Sequence, residues 1–223
     1  MRRILFITFV MLMISACVDS NTNAETFPTQ TLSPSSTPTP VPTSLILADF
    51  PLTVGTTWKY SAEISKQSPV EGAQLDKWSG IITIDVVQEI VQSDGKIVFT
   101  LHQELEPAPS KDIWRQPDNY EYILSGDGIF RDRAKIYQFP VSDNASWYLR
   151  SDFSYNRWYA KYLENVEVPY GKFEGCYVFF IDTNTDIAYE TFCSGIGFVK
   201  HEYVHHSGLR HEKFVLVEYK PSQ

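Results

Sequence analysis

Cysteine is scarce, three in 223 residues, too few for a small fold stapled by several disulfides. Basic residues are outnumbered, 19 Lys+Arg against 27 Asp+Glu for a net charge of −8. No basic stripe stands ready to neutralise phosphates, so no nucleic-acid partner is expected. No apolar run reaches the roughly 20 residues that a helix needs to cross a bilayer. Methionine occurs only at Met1, Met11 and Met13. The chain also lacks a P-loop, a Rossmann glycine set, a Ser-centred elbow and a CxxC pair, so no cofactor is expected.

What is present begins with an address. Arg2 and Arg3 precede an apolar run, Ile4 to Ile14, broken only by Thr8. That length and polarity suit the h-region of a secretory signal. The run ends in Ile14-Ser15-Ala16-Cys17, which resembles the bacterial lipoprotein lipobox. The resemblance implies a signal peptide over 1–16, cleavage before Cys17, and lipid on Cys17 as a membrane anchor outside the cytoplasm. Residues 18–44 hold five Pro, seven Thr, five Ser and no Lys or Arg. So polar a stretch cannot offset its ordering entropy by burial and reads, with Cys17, as a disordered tether over 17–44.

From 45 to 223 the pattern changes. No sustained 3.6-residue apolar period occurs; short runs rich in Val, Ile, Tyr, Phe and Trp alternate with turn residues. About eleven strands are expected, near 57–65, 78–91, 96–106, 120–125, 128–133, 135–139, 158–168, 173–182, 186–193, 197–205 and 211–219. Loops are expected at 66–77, 107–119 and 140–157. Hairpin connections predict an all-β single domain: a curved antiparallel sheet or incomplete up-and-down barrel.

Two hairpins make sharper predictions. Asp94-Gly95 reads as a two-residue turn that pairs Ile90 with Phe99, Gln88 with Leu101 and Ile84 with Leu105. It also sets Asp85 opposite Glu104 with His102 beside them, a spacing at which paired carboxylates could act on a glycosidic bond; a wet sheet face is the simpler reading. The turn cluster Asp182-Thr183-Asn184-Thr185-Asp186 centres a hairpin that sets Cys176 opposite Cys193, within disulfide reach. An exported domain permits that bond, worth roughly 3 kcal/mol at most on chain-entropy grounds.

Phe50-Pro51-Leu52, Gly55 and Trp58-Lys59-Tyr60 open the domain. Val168-Pro169-Tyr170-Gly171-Lys172-Phe173-Glu174-Gly175-Cys176 follows, then Gly195-Ile196-Gly197-Phe198-Val199-Lys200. This set resembles a broad group of uncharacterised bacterial lipoproteins and secreted β-proteins with PLxxGxxWxY, VPxGxFxxC and GxGxVK motifs. The resemblance implies a β-domain and carries no activity. Trp58 reads as core packing.

His201-Glu202-Tyr203-Val204-His205-His206-Ser207-Gly208-Leu209-Arg210-His211 matches HExxHxxGxxH. The resemblance to metzincins implies His201, His205 and His211 as zinc ligands and Glu202 as general base. The chemistry requires a helix, and the residues around it spell strand. In a strand four residues rise about 13 Å, too far for one ion. A weaker alternative is a hairpin looping through Ser207–Arg210, pairing His206 with His211 as a surface metal site. The expected function is therefore a non-enzymatic binding or envelope-structural module. Its partners would be a membrane through Cys17 and either a small ligand or an envelope protein.

Overall fold

Runs that alternate apolar and polar residues fold as strands burying one face, and the chain consists of little else. The computed structural model describes residues 43–68, 74–114, 116–126, 128–142, 144–148, 157–183 and 185–223. A short helix, α1 (Thr43–Asp49), leads into β1 (Thr57–Gln67), β2 (Leu75–Val91), β3 (Ile97–Glu106), β4 (Asn119–Ser125), β5 (Gly128–Arg131) and β6 (Ala134–Gln138). The second run is β7 (Ser146–Tyr148), β8 (Arg157–Val168), β9 (Gly171–Asp182), β10 (Asp186–Cys193), β11 (Gly197–His205) and β12 (Arg210–Lys220).

All twelve form one sheet in the order β6-β5-β4-β3-β2-β1-β12-β11-β10-β9-β8-β7. The recorded strand pairings are antiparallel, and β12 returns to pair with β1. β6 and β7 end the sheet without pairing with each other, so the up-and-down barrel is incomplete, as the sequence predicts. Two elements were not expected. β7, three residues long, is too short to display an alternation. α1 makes under two turns and begins at Thr43, inside the stretch read as tether. The signal peptide, Cys17 and the tether to residue 42 lie outside the described residues.

Bulges curl the sheet, each putting an extra residue into one of two paired strands. They lie at Lys59/Tyr60, Val86/Gln88 and Thr191/Phe192, among others. The curl sets the Tyr137 ring of β6 4.7 Å from the Phe198 ring of β11, centroid to centroid, although six strands lie between β6 and β11 in the sheet. The core fills most of this concave side.

Phe50, 4% exposed, is the centre of that core. Its ring lies 5.6 to 6.2 Å from the rings of Trp58, Tyr122, Tyr137, Phe192 and Phe198. The segment carrying it is fastened to the β10–β11 turn. Gly195 N donates to the Asp49 carbonyl at 2.8 Å, and Ser194 Oγ donates to Asp49 Oδ1 at 2.5 Å. Gly197, at φ +92°, lies under the Phe50 ring; a Cβ there would stand 2.6 Å from Phe50 Cε2. Trp58 Nε1 donates to the Ile196 carbonyl at 2.7 Å, which gives Trp58 the packing role read from the sequence.

The hairpin registers test the reading in detail. In β9–β10, Thr191 faces Val178 and Phe192 faces Tyr177, the expected register. Cys176 and Cys193 form a disulfide with Cα atoms 4.4 Å apart. In β2–β3 the expected register is wrong. The loop has three residues, Ser93-Asp94-Gly95, closed by Gln92 N donating to the Lys96 carbonyl at 2.8 Å. Gly95 at φ +83° takes the left-handed position that such a loop requires. Ile90 therefore faces Val98, and Gln88 faces Thr100. Beyond a bulge at Val87 the register shifts again, so Ile84 faces Gln103 and Asp85 faces His102, with Glu104 opposite Thr83. Ile90, on the same strand as the buried Ile82 and Val86, is 47% exposed as a result. The expected Asp85–Glu104 carboxylate pair does not form; Asp85 instead accepts from Thr57 Oγ1 at 2.5 Å.

Candidate functional site: a polar cavity on the concave face

One part of the concave side is not filled. A cavity of about 230 Å³ lies beside the Phe50 cluster, walled by residues from both halves of the sheet. Alternation along each strand decides which residues reach it. β1 contributes Tyr60, β2 Ile82 and Ile84, β3 Gln103, β4 Tyr120 and Tyr122, β5 Arg131 and β6 Tyr137. From the other half come Glu190 of β10, Phe198 and His201 of β11, and Glu212 and Phe214 of β12. Trp114 and Gln116, from the β3–β4 loop, complete the wall.

A polar chain crosses the cavity. His201 Nδ1 lies 3.1 Å from Glu190 Oε1, and Tyr137 Oη donates to Glu190 Oε2 at 3.4 Å. Tyr122 packs between Tyr120 and Tyr137, its ring centroid 5.4 Å from the first and 6.4 Å from the second. Arg131 lies over the Tyr120 ring, 4.2 Å from its centroid, and donates through Nη2 to Gln116 Oε1 at 3.0 Å. Tyr60 Oη donates to the Phe198 carbonyl at 3.0 Å, and Gln103 Nε2 to the Pro117 carbonyl at 2.7 Å.

Burial sets the charge states. It pushes the Tyr60, Tyr120 and Tyr137 phenols well above their usual range and Tyr122 up to about 12. For Tyr60, Tyr122 and Tyr137 the Glu190 charge adds to the effect. All four are neutral hydroxyls at physiological pH. Burial works against protonation of His201, but the hydrogen bond and charge of Glu190, with the charges of Glu212 and Glu202, outweigh it and raise its pKa.

The HExxHxxGxxH residues scatter. The string runs through β11, a turn and β12, so the helix a metzincin needs is not formed. His201 alone of the four candidate histidines lines the cavity, stacked on Phe214 at 5.0 Å. Its neighbour Glu202 lies 3.4 Å from His211 Nε2. His205 Nδ1 lies 2.6 Å from Ser207 Oγ, and His206 Nε2 accompanies the Thr183 carbonyl at 2.7 Å. The expected His206–His211 pairing is not formed either, because the turn is displaced: Val204, not His206, faces His211. Among the described residues no three His, Cys, Asp or Glu side chains are grouped to hold a metal ion.

Most of the cavity was missed by sequence reasoning. Arg131 is the last residue of β5, next to the Asp132-Arg133 turn, and its local sequence does not mark it as a cavity residue. Tyr120 and Tyr122, two apart on one strand with Arg131 near, carried the available signal. A second hollow, also about 230 Å³, lies elsewhere around Glu164, Thr191 and Glu202. There the Thr191 hydroxyl already donates to Glu164 at 3.1 Å.

No family model matches the chain, and no curated protein matches it. Among solved structures it is similar to a Bacteroides fragilis protein described as exported, with a YmcC-like fold: 13% identity, 77% of this chain and 98% of that one, TM-score 0.45. It is also similar to a protein from Parabacteroides distasonis described as a lipoprotein: 14% identity, 77% and 97% coverage, TM-score 0.42. A third likeness is to MucB, at 13% identity over 80% of this chain and 56% of that one, TM-score 0.32. Likenesses of this degree assign no function.

Proposed function

We propose that the chain is an extracytoplasmic, lipid-anchored β-domain that binds a small ligand in its concave cavity without transforming it. The observation that carries the reading is the hollow of about 230 Å³ left among tyrosines, Gln103, Arg131 and the Glu190–His201 pair in an otherwise packed interior. Mixed apolar and polar lining is what small-molecule recognition requires, and a volume below the roughly 300–1,000 Å³ of most ligand pockets restricts the occupant to a small one. The lipobox-like Ile14-Ser15-Ala16-Cys17 and the tether supply the anchor. The Cys176–Cys193 bond is in keeping with an oxidising compartment.

The two parts of the proposal are tested separately. Labelling of the full chain with radioactive palmitate in a bacterial host should mark the protein, and Cys17→Ala should abolish the label; an unlabelled wild type removes the anchor. For the cavity, N-phenyl-1-naphthylamine should bind the domain saturably at one site, and Ile84→Trp, which fills the hollow, should abolish the signal. Binding that survives the filled cavity removes the ligand site.

A further inference from the structure

We infer that the cavity selects a small amphiphile bearing an oxyanion (a carboxylate, sulfonate or phosphate monoester on an apolar body), with its anionic group received by Arg131 and by the indole N–H of Trp114. The inference rests on the cavity being a ligand site and adds the class of ligand.

The lining groups differ in how far they already have partners. Glu190 is met by His201 at 3.1 Å and Tyr137 at 3.4 Å. Glu212 is paired with Arg210. The acidic side is thus internally compensated. Arg131 is different. Its ring and amide contacts, Tyr120 and Gln116, are neutral. The carboxylate near it among the described residues is Asp132, 3.9 Å from Nε and 95% exposed, a contact worth little in water. A guanidinium offers five N–H donors in a planar fork, and one is engaged by Gln116.

Trp114 adds a second, independent donor. It lines the same cavity, two residues from Gln116, and its Nε1 is buried with no partner among the described residues. An orphaned buried donor is costly, and the cost is relieved when an acceptor arrives. Trp147 and Trp158 also have unpartnered indole nitrogens, but neither lines this cavity. Open donors and one weakly compensated positive charge call for an acceptor-rich anion, which the Arg fork can hold bidentately. Ile82, Ile84 and the aromatic rings offer the surface for its apolar body. The net charge of −8 repels anions at long range, but screening confines that effect to about 8 Å at physiological salt.

The experiment compares two probes on the full chain. 1-Anilinonaphthalene-8-sulfonate and N-phenyl-1-naphthylamine share one aryl frame and differ by the sulfonate. The sulfonate should bind at least ~10-fold more tightly, the size of one charge-assisted hydrogen bond. Arg131→Met should remove that preference, so that the two probes bind the variant alike, with an unchanged denaturant midpoint reporting an intact fold. Arg131→Lys should retain part of the preference, and Lys172→Met, at an exposed cation elsewhere, should retain all of it. Trp114→Phe should weaken the sulfonate several-fold more than the uncharged probe. Equal affinities, or a preference that survives Arg131→Met, overturn the anion assignment and leave the ligand site standing. Binding of neither probe overturns both.

Discussion

The two ends of the concave face are built by the same strands and behave oppositely. β1 gives Trp58 to the packed end and Tyr60 to the cavity. β10 gives Phe192 to one and Glu190 to the other, and β11 gives Phe198 and His201. A step of two or three residues along each strand therefore separates a sealed aromatic core from a polar hollow. Phe50 accounts for the difference. It arrives from outside the sheet and fills one end, whereas at the other end, among the described residues, the loop side chains Trp114 and Gln116 line the hollow without filling it. A curled sheet of this size encloses more volume than its own inward side chains occupy; an inserted segment closes part of it, and what remains open is available to a ligand.

The first way to break the comparison is to remove the plug. Phe50→Ala should destabilise the domain by about 3–5 kcal/mol, the usual cost of truncating a buried phenylalanine, read as a lowered denaturant midpoint. Its interaction with Gly197 sharpens the test. Gly197→Ala should be strongly destabilising in the wild type, because the added methyl meets the Phe50 ring. In Phe50→Ala the added penalty should shrink but persist, since φ +92° remains unfavourable for alanine. Strict additivity in this double-mutant cycle would mean that the ring does not rest on Gly197.

The sequence revealed the strands and concealed the cavity for separable physical reasons. Alternation over five or more residues is a local signal, so nearly every strand was legible, while three-residue β7 was not. The Cys176–Cys193 pairing was legible because the Asp182–Asp186 turn is symmetric and no bulge falls between it and the cysteines. Ile90 was misplaced because one left-handed glycine and one bulge shift the register, and a strand slipped by one residue exchanges its faces. The cavity joins residues from nine strands and a loop, so no window of sequence contains it. His201 stands out in the sequence for a zinc string that the fold does not use, and Arg131 lies among the charged residues Asp132, Arg133 and Lys135, a local pattern that carries no sign of a cavity.

The second prediction concerns the polar end. His201 faces Glu190 from β10, Glu212 and Phe214 from β12, and is influenced by Glu202 on its own strand. Its folded-state pKa is raised, so the pair's contribution is complete below the unfolded value near 6.5 and is lost as pH rises through the higher folded value. His201→Asn should therefore cost about 1.5–3 kcal/mol at pH 5.5, in the range of a charged hydrogen bond, and clearly less at pH 9. Denaturant melts of both proteins at the two pH values measure it. A cost that does not fall with pH would mean that the imidazole contributes by packing on Phe214 and not by its charge.

The smallest effect separates the hydroxyl of Tyr137 from its ring, because this residue serves both ends. The ring packs against Phe50 and Phe198, whereas the hydroxyl belongs to the cavity chain, donating to Glu190 at 3.4 Å. Tyr137→Phe keeps the first and deletes the second, so it should cost only about 0.5–1.5 kcal/mol, the net worth of an ordinary hydrogen bond. Tyr137→Ala should cost several times more by opening the packed end. Losing the hydroxyl also removes one of the two partners of Glu190. The pH-dependent part of the His201 contribution should then grow, since a less compensated carboxylate favours the imidazolium more strongly. If Tyr137→Phe leaves that pH dependence unchanged, the hydroxyl and the imidazole do not act on the same carboxylate, and the cavity is two sites and not one connected chain.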